Sequence, residues 1–144
     1  MFDVEATANA NRQDLEAMLR LVDIASFNEQ GFVRVAGEAA TIEGARKLLA
    51  YGPEMVVVTL AERGALAVTA VAAAQIPGHT VTVQDTTGAG DTFNAAFLSA
   101  TLQEKSLEES LTFANAAAAI SVTGLGPRGN LPTVAEVEAF LGEE

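Results

Sequence analysis

The stretch that most constrains this chain is a glycine-rich run in its second half, from Asp85 to Phe97 (DTTGAGDTFNAAF). Gly88 and Gly90 precede apolar residues that recur at helical spacing from Phe93 onward. A glycine turn that opens a helix leaves the first N–H groups of that helix without partners inside it. Those donors and the helix dipole favour an anion, and the glycines allow it to approach the backbone closely. The run therefore predicts a phosphate site at the start of a helix.

Asp91 lies in the first turn of that helix, beside the predicted anion site. A carboxylate next to bound phosphate is unfavourable unless the chemistry uses it, for example to take a proton from an attacking hydroxyl group. The structural alternative is that Gly-x-Gly is common before helices and that aspartate is a favourable first-turn residue. The run is not a Walker A loop, because no Gly-Lys-Ser/Thr follows, and it lacks the third glycine of a dinucleotide fingerprint.

The run resembles the C-terminal signature of the ribokinase-like (PfkB) sugar kinases. The resemblance implies that Asp91 is the general base for the acceptor hydroxymethyl group, and that Gly88, Ala89 and Gly90 form the anion hole. It implies an ATP-dependent phosphotransferase acting on a primary alcohol of a sugar or related small molecule. ATP and Mg²⁺ would be its cofactors, joined by K⁺ in potassium-activated members. The alternative function is a catalytically incompetent nucleotide-binding or interaction fragment.

Other segments resemble the same family and imply further site residues. Asn28 matches the asparagine of an Asn-x-x-Glu motif that organises magnesium and phosphate, although Gly31 stands where the family has glutamate. Ala61 replaces a glycine common near the nucleotide, a change that is harmless where φ is negative. The resemblance implies nucleotide contacts for Asn28, Thr59, Gly64, Asn115 and Gly126, and a monovalent-cation site at Asp85, Thr87 and Asn130.

Composition is typical of one globular domain. Of its 144 residues, 49% are apolar and 19% are charged. The net charge of −11 argues against nucleic acid or an anionic membrane surface as a partner. The absence of cysteine excludes disulfides and thiolate metal sites and fits a cytoplasmic location. The apolar stretches are far shorter than the roughly 18 residues that a membrane span requires.

Strand and helix patterns alternate early in the chain and helices cluster late, which predicts an α/β domain. The β-branched run 55–60 is typical of a strand buried on both faces of a parallel sheet. Strands are expected over 2–5, 23–27, 55–60, 65–70 and 80–83. Helices are expected over 12–22, from just after residue 29 to residue 36, and over 41–51, 89–102, 107–122 and 134–141. The resemblance implies the three-layer αβα ribokinase-like fold with a mostly parallel sheet.

Relative to the family, residues 1–144 resemble only the C-terminal, nucleotide-binding half, as a single partial domain. The other half would supply most of the sugar contacts and the lid, so the sequence does not indicate which sugar or nucleoside is the acceptor. The strand at 2–5 would then form an open sheet edge, which favours pairing with another chain. We therefore expect either a homo-oligomer or pairing with the missing N-terminal half.

Overall fold

The structure of the chain, a computed structural model, describes residues 1–4 and 11–142. Within those residues, the strands are β1 (Phe2–Val4), β2 (Ile24–Asn28), β3 (Met55–Thr59), β4 (Ala65–Thr69) and β5 (Ala73–Ile76). The helices are α1 (Arg12–Leu19), α2 (Glu29–Ala36), α3 (Ile42–Leu48), α4 (Ala89–Leu102), α5 (Leu107–Ser121) and α6 (Val134–Gly142). No helix in this part of the chain is long and apolar enough to cross a membrane.

The chain divides into two compact units. Of the described residues, the first unit comprises 1–4, 11–61 and 65–75, and the second comprises 62–64 and 76–142. The strands of the sheet lie in sequence order from β1 to β5. β1, β2 and β3 run parallel to one another, and β4 runs antiparallel to β3. Parallel neighbours need crossover connections, and α1 and the pair α2–α3 lie in sequence between the parallel strands.

The core of the first unit forms around the predicted β-branched strand. Val56, Val57 and Val58 of β3 are fully buried, as expected for a strand covered on both faces. Phe27 of β2 and Phe32 of α2 meet edge to face, with ring centroids 5.9 Å apart. This geometry adds a favourable aromatic contact to the apolar area that both rings bury.

In the second unit, small and large apolar side chains from α4, α5 and α6 pack together. Ala100 of α4, Phe113 and Ala117 of α5 and Val137 of α6 belong to one buried cluster. Ser106 begins α5 with a capping box, in which its side chain and that of Glu109 satisfy each other's backbone N–H groups. The three predicted late helices are therefore confirmed, with ends within one residue of the expected ones.

One predicted strand is wrong, and one observed strand was not predicted. Residues 80–83 alternate threonine and valine, yet the structure has no strand there, and Val83 is 56% exposed, so the alternation does not mark a buried face. We did not predict β5, because alanine is depleted in strands and Ile76 is the one β-branched residue among its four. A turn between Thr69 and Ala72, closed by a 2.8 Å hydrogen bond from the Thr69 N–H to the Ala72 carbonyl, returns the chain beside β4.

The remaining elements match with small changes. α1 ends at Leu19 rather than at Val22. Thr41 is the N-cap of α3 as predicted, its hydroxyl oxygen accepting the Gly44 N–H at 3.0 Å. The last residue of the predicted first strand, Glu5, lies outside the described residues.

Ala61 has a backbone φ of +53°, so the replacement of glycine is not of the harmless kind. An L-residue in this left-handed region costs roughly 1–2 kcal/mol, while glycine loses part of that advantage through its freedom in the unfolded chain. We expect Ala61→Gly to raise the free energy of unfolding by about 0.5–1 kcal/mol. Urea denaturation followed by circular dichroism measures this change.

The matched control is Ala17→Gly, at an exposed position of α1 in the same unit. There φ is helical, so glycine should lower the free energy of unfolding by about 1 kcal/mol. If Ala61→Gly destabilised the protein as Ala17→Gly does, the left-handed conformation at Ala61 would be refuted.

Candidate nucleotide and anion site

The glycine turn, residues 85–90, leads directly into α4. Gly88 is the N-cap of the helix, with φ +81°, and its carbonyl accepts the Thr92 N–H at 2.9 Å. The Ala89 N–H donates to the Thr86 carbonyl at 3.2 Å. In the part of the chain that the structure describes, the N–H groups of Gly90 and Asp91 have no hydrogen-bond partner. The N–H groups of Gly90 and Asp91 are therefore available to a ligand, whereas the N–H of Ala89, a predicted anion-hole residue, is already paired.

The two glycines of the turn are needed for different reasons. A Cβ on Gly88 would lie 3.1 Å from both Cα and Cβ of Pro127, and the positive φ disfavours any side chain there. A Cβ on Gly90 would meet no atom within 4 Å. The space beside Gly90 is therefore open, and the carboxylate-bearing residue Asp91 next to it is exposed. An anion can reach the free donors without rearrangement of the backbone.

The carboxylate of Asp85 connects the glycine turn to the C-terminal loop, which we define as residues 124–131. Its Oδ1 accepts the Thr87 N–H and its Oδ2 accepts the Gly126 N–H, each at 2.9 Å. Hydrogen bonds from the side chain and backbone of Thr87, and then from the Gly126 backbone, lower the pKa of Asp85. Asp85 therefore remains an anion at neutral pH although it neighbours an anion site.

The C-terminal loop is fastened to the end of α5. The Asn130 side-chain amide donates to the Ile120 carbonyl at 3.0 Å and to the Thr123 hydroxyl at 2.8 Å. Gly126 has φ +77°, and its carbonyl accepts the Gly129 N–H at 3.1 Å. The loop thus holds its shape with internal hydrogen bonds, and the left-handed φ explains why position 126 is glycine.

The residues predicted to hold a monovalent cation, Asp85, Thr87 and Asn130, therefore take part in protein hydrogen bonds. A carboxylate oxygen that accepts one N–H retains a further lone pair, so the Asp85 carboxylate still suits a hard cation. No group of three or more His, Cys, Asp or Glu side chains that suits a metal ion occurs among residues 1–4 and 11–142.

Gly64 and Asn115, both predicted near the nucleotide, contact the same segment of backbone. The buried Asn115 donates from Nδ2 to the carbonyls of Ile76 and Pro77, each at 3.3 Å. Gly64 has φ +92°, and a Cβ there would collide with the Ile76 carbonyl oxygen at 2.0 Å. In this structure both residues shape the 62–64 turn and the 76–78 segment that crosses it.

Asn28 and Thr59, the other predicted nucleotide residues, lie in the first unit. They are directly paired at the carboxyl ends of β2 and β3, which is where open parallel sheets bind ligands. The Asn28 Oδ1 accepts the Gly31 N–H at 2.7 Å, so Asn28 is the N-cap of α2. The Thr59 hydroxyl donates to the Phe27 carbonyl at 3.4 Å.

Sequence reasoning missed two residues that shape the site. Gly78 crosses the 62–64 turn so closely that a Cβ on it would lie 2.5 Å from the Glu62 carbonyl oxygen. Pro127 packs against Gly88. The Pro77-Gly78 pair and the Gly126-Pro127 pair marked both places as turns, but nothing in the sequence marked the segments that they contact.

Residues 2–134 match the pfkB family carbohydrate kinases. The chain belongs to this family. It is 39% identical to the ribokinase of Haemophilus influenzae over 131 residues, which cover 88% of this chain and 43% of that protein. The crystal structure of Thermotoga maritima ribokinase aligns with 98% of this chain and 48% of its own, at 38% identity and a TM-score of 0.84.

A second match is the structure of Arabidopsis thaliana ribokinase complexed with ribose and ATP. The alignment covers 88% of this pfkB family chain and 43% of the Arabidopsis chain, at 34% identity and a TM-score of 0.80. The likeness to solved ribokinases confirms the predicted αβα fold class with its mostly parallel sheet. The chain spans about half the length of the relatives that it matches.

The glycines give a stability contrast. We expect Gly64→Ala to lower the free energy of unfolding by about 2–4 kcal/mol, because it combines a left-handed φ with a collision against backbone. Gly90→Ala adds a methyl group to open space and should change stability by less than about 0.5 kcal/mol. Chemical denaturation of both variants measures the contrast, and equal effects would contradict the described geometry.

Proposed function

We propose that this chain carries the phosphoryl-transfer centre of an ATP-dependent carbohydrate kinase, whose acceptor is a primary alcohol of a sugar or related small molecule. One observation carries the proposal. The free N–H groups of Gly90 and Asp91 and the exposed Asp91 carboxylate stand together at the first turn of α4, beside open space. The names of the relatives, which are ribokinases, support the same reaction class.

In the proposed reaction, Asp91 takes the proton of the acceptor hydroxyl as its oxygen attacks the γ-phosphorus of ATP. The new P–O bond forms as the bond between the γ-phosphorus and the bridging oxygen breaks, and ADP leaves. The N–H groups of Gly90 and Asp91 stabilise negative charge on the transferring group. They are oriented before the reaction, so little reorganisation accompanies the charge movement. Ala89 joins them once its 3.2 Å hydrogen bond to Thr86 opens.

The cofactors follow from the chemistry and from the resemblance. Mg²⁺, when bound, neutralises charge on the ATP phosphates. It usually binds through phosphates and water with only one or two carboxylates, so a site without a carboxylate cluster suits it. Asn28 is the residue that the resemblance assigns to the magnesium and phosphate network, and Thr59, Gly64, Asn115 and Gly126 are the other nucleotide residues. Asp85, Thr87 and Asn130 would hold K⁺.

We further propose that residues 1–144 correspond to the nucleotide-binding C-terminal half of the family, as one partial domain. The chain covers less than half the length of the ribokinases described above. The sugar would then be contacted mainly by the half of the family's fold that this chain does not match. The lack of cysteine and the use of ATP fit the cytoplasm.

The test is ADP release from ATP and Mg²⁺ across a panel of sugars and nucleosides. We expect acceptor-dependent turnover, and we expect Asp91→Asn to reduce it by about a hundredfold or more because the general base is lost. The affinity for ADP, measured by calorimetry, should stay within about threefold of the original value.

The control variant is Glu104→Gln, which removes an equal charge from an exposed residue just beyond α4. It should leave turnover unchanged. Equal turnover in Asp91→Asn would refute the role of Asp91. A folded chain that binds ADP but shows no turnover with any acceptor would instead support the non-catalytic fragment.

A further inference from the structure

The glycine turn and the C-terminal loop are in direct contact within the second unit. Next to this contact, the backbone N–H groups of Gln84 and Asp85 donate to the carbonyl of Val122, the residue that follows α5, at 2.8 and 3.2 Å. Gly88 lies so close to Pro127 that even a methyl group would be crowded. The turn that presents the free donors therefore rests on a loop that begins 39 residues after Asp85 in the sequence.

The Asp85 carboxylate spans this contact. Because Oδ1 accepts from Thr87 and Oδ2 accepts from Gly126, one rigid planar group fixes two backbone positions, one in each segment. Hydrogen bonds to a charged acceptor are stronger than those between neutral groups. An amide side chain of the same shape offers only one acceptor oxygen, so it can keep one of the two bonds.

The Gly126 end of the Asp85 bridge is held in place by further hydrogen bonds. The Gly126 carbonyl accepts the Gly129 N–H, and Asn130 ties the loop to the last turn of α5 through Ile120 and Thr123. Asp85 consequently connects the turn to a helix end rather than to a free loop. The turn has two glycines and hence a high intrinsic freedom that such an anchor restricts.

The free donors lie only three and four residues after Thr87, on the other side of the left-handed Gly88. Any rotation at Gly88 would redirect both N–H groups, and the Asp85 bridge holds the residues on its N-terminal side. We propose that Asp85 is a positioning residue, whose carboxylate bridge to Gly126 fixes the N–H groups of Gly90 and Asp91 in the direction that receives the transferring phosphoryl group. The identity of the ligand in this inference rests on the proposed function, whereas the bridge itself is observed in the structure.

The first arm of the test uses the ligand-free chain in a buffer that contains no Na⁺ or K⁺, so that no monovalent metal cation contributes. Amide ¹⁵N relaxation measures the order parameters of Gly90 and Asp91. We expect values near about 0.85 in the original chain and below about 0.6 in Asp85→Asn. The matched control is Glu109→Gln, which also removes a charge from a carboxylate that accepts hydrogen bonds in the second unit. It should leave both values unchanged.

The second arm compares the non-hydrolysable ATP analogue β,γ-methylene-ATP with ADP by calorimetry. Asp85→Asn should weaken binding of the analogue by about tenfold, which corresponds to about 1.4 kcal/mol, and should leave ADP binding unchanged, because only the analogue has the third phosphoryl group that the donors receive. Unchanged order parameters and unchanged affinity for the analogue would refute the inference. An equal loss for both ligands, together with a lower melting temperature, would also refute it, because the role would then be structural. If the original chain did not bind ADP, the proposed function would be refuted. The relaxation measurement would still test the role of Asp85.

Discussion

Two backbone N–H groups that are 39 residues apart, from Thr87 and Gly126, share the carboxylate of Asp85, and the form of the candidate site depends on that sharing. A glycine turn alone does not define one direction for the donors that follow it, because glycine has access to both signs of φ. The bridge, the contact of Gly88 with Pro127 and the anchoring of the C-terminal loop to α5 together select one conformation. The geometry of the candidate anion site therefore depends on two segments and not on the motif alone.

The charge of the chain favours backbone groups for the proposed anion-binding role. With a net charge of −11, the protein repels a polyphosphate at long range. A cluster of lysines is absent from the glycine-rich run, and oriented N–H groups at a helix start attract an anion without adding a titratable cation. Asp91, next to the candidate site, is exposed to water. The proposed base and the proposed anion-binding donors therefore lie within one helical turn.

Much of this arrangement could be predicted from local sequence. The glycine run, the helix that follows and the strand at 55–60 depend on patterns within a few residues, and the structure has all three. The fold class followed from the length and specificity of the motif. The Asp85–Gly126 bridge could not be predicted, because no local pattern relates residues so far apart. The missed strand β5 has the same cause, since its place beside β4 is set by a turn and not by its own propensity. The sign of φ at Ala61 likewise depends on the path of the chain and not on the residue.

The most direct test of the central claim is a crystal structure of the chain with ADP, Mg²⁺ and fluoroaluminate, an ion that stands for the transferring phosphoryl group. Our account predicts that fluorine atoms of this ion lie about 3 Å from the backbone nitrogens of Gly90 and Asp91, with the Asp85 bridge to Gly126 intact. An ordered ADP whose fluoroaluminate lies away from α4, with those two nitrogens still unoccupied, would contradict it.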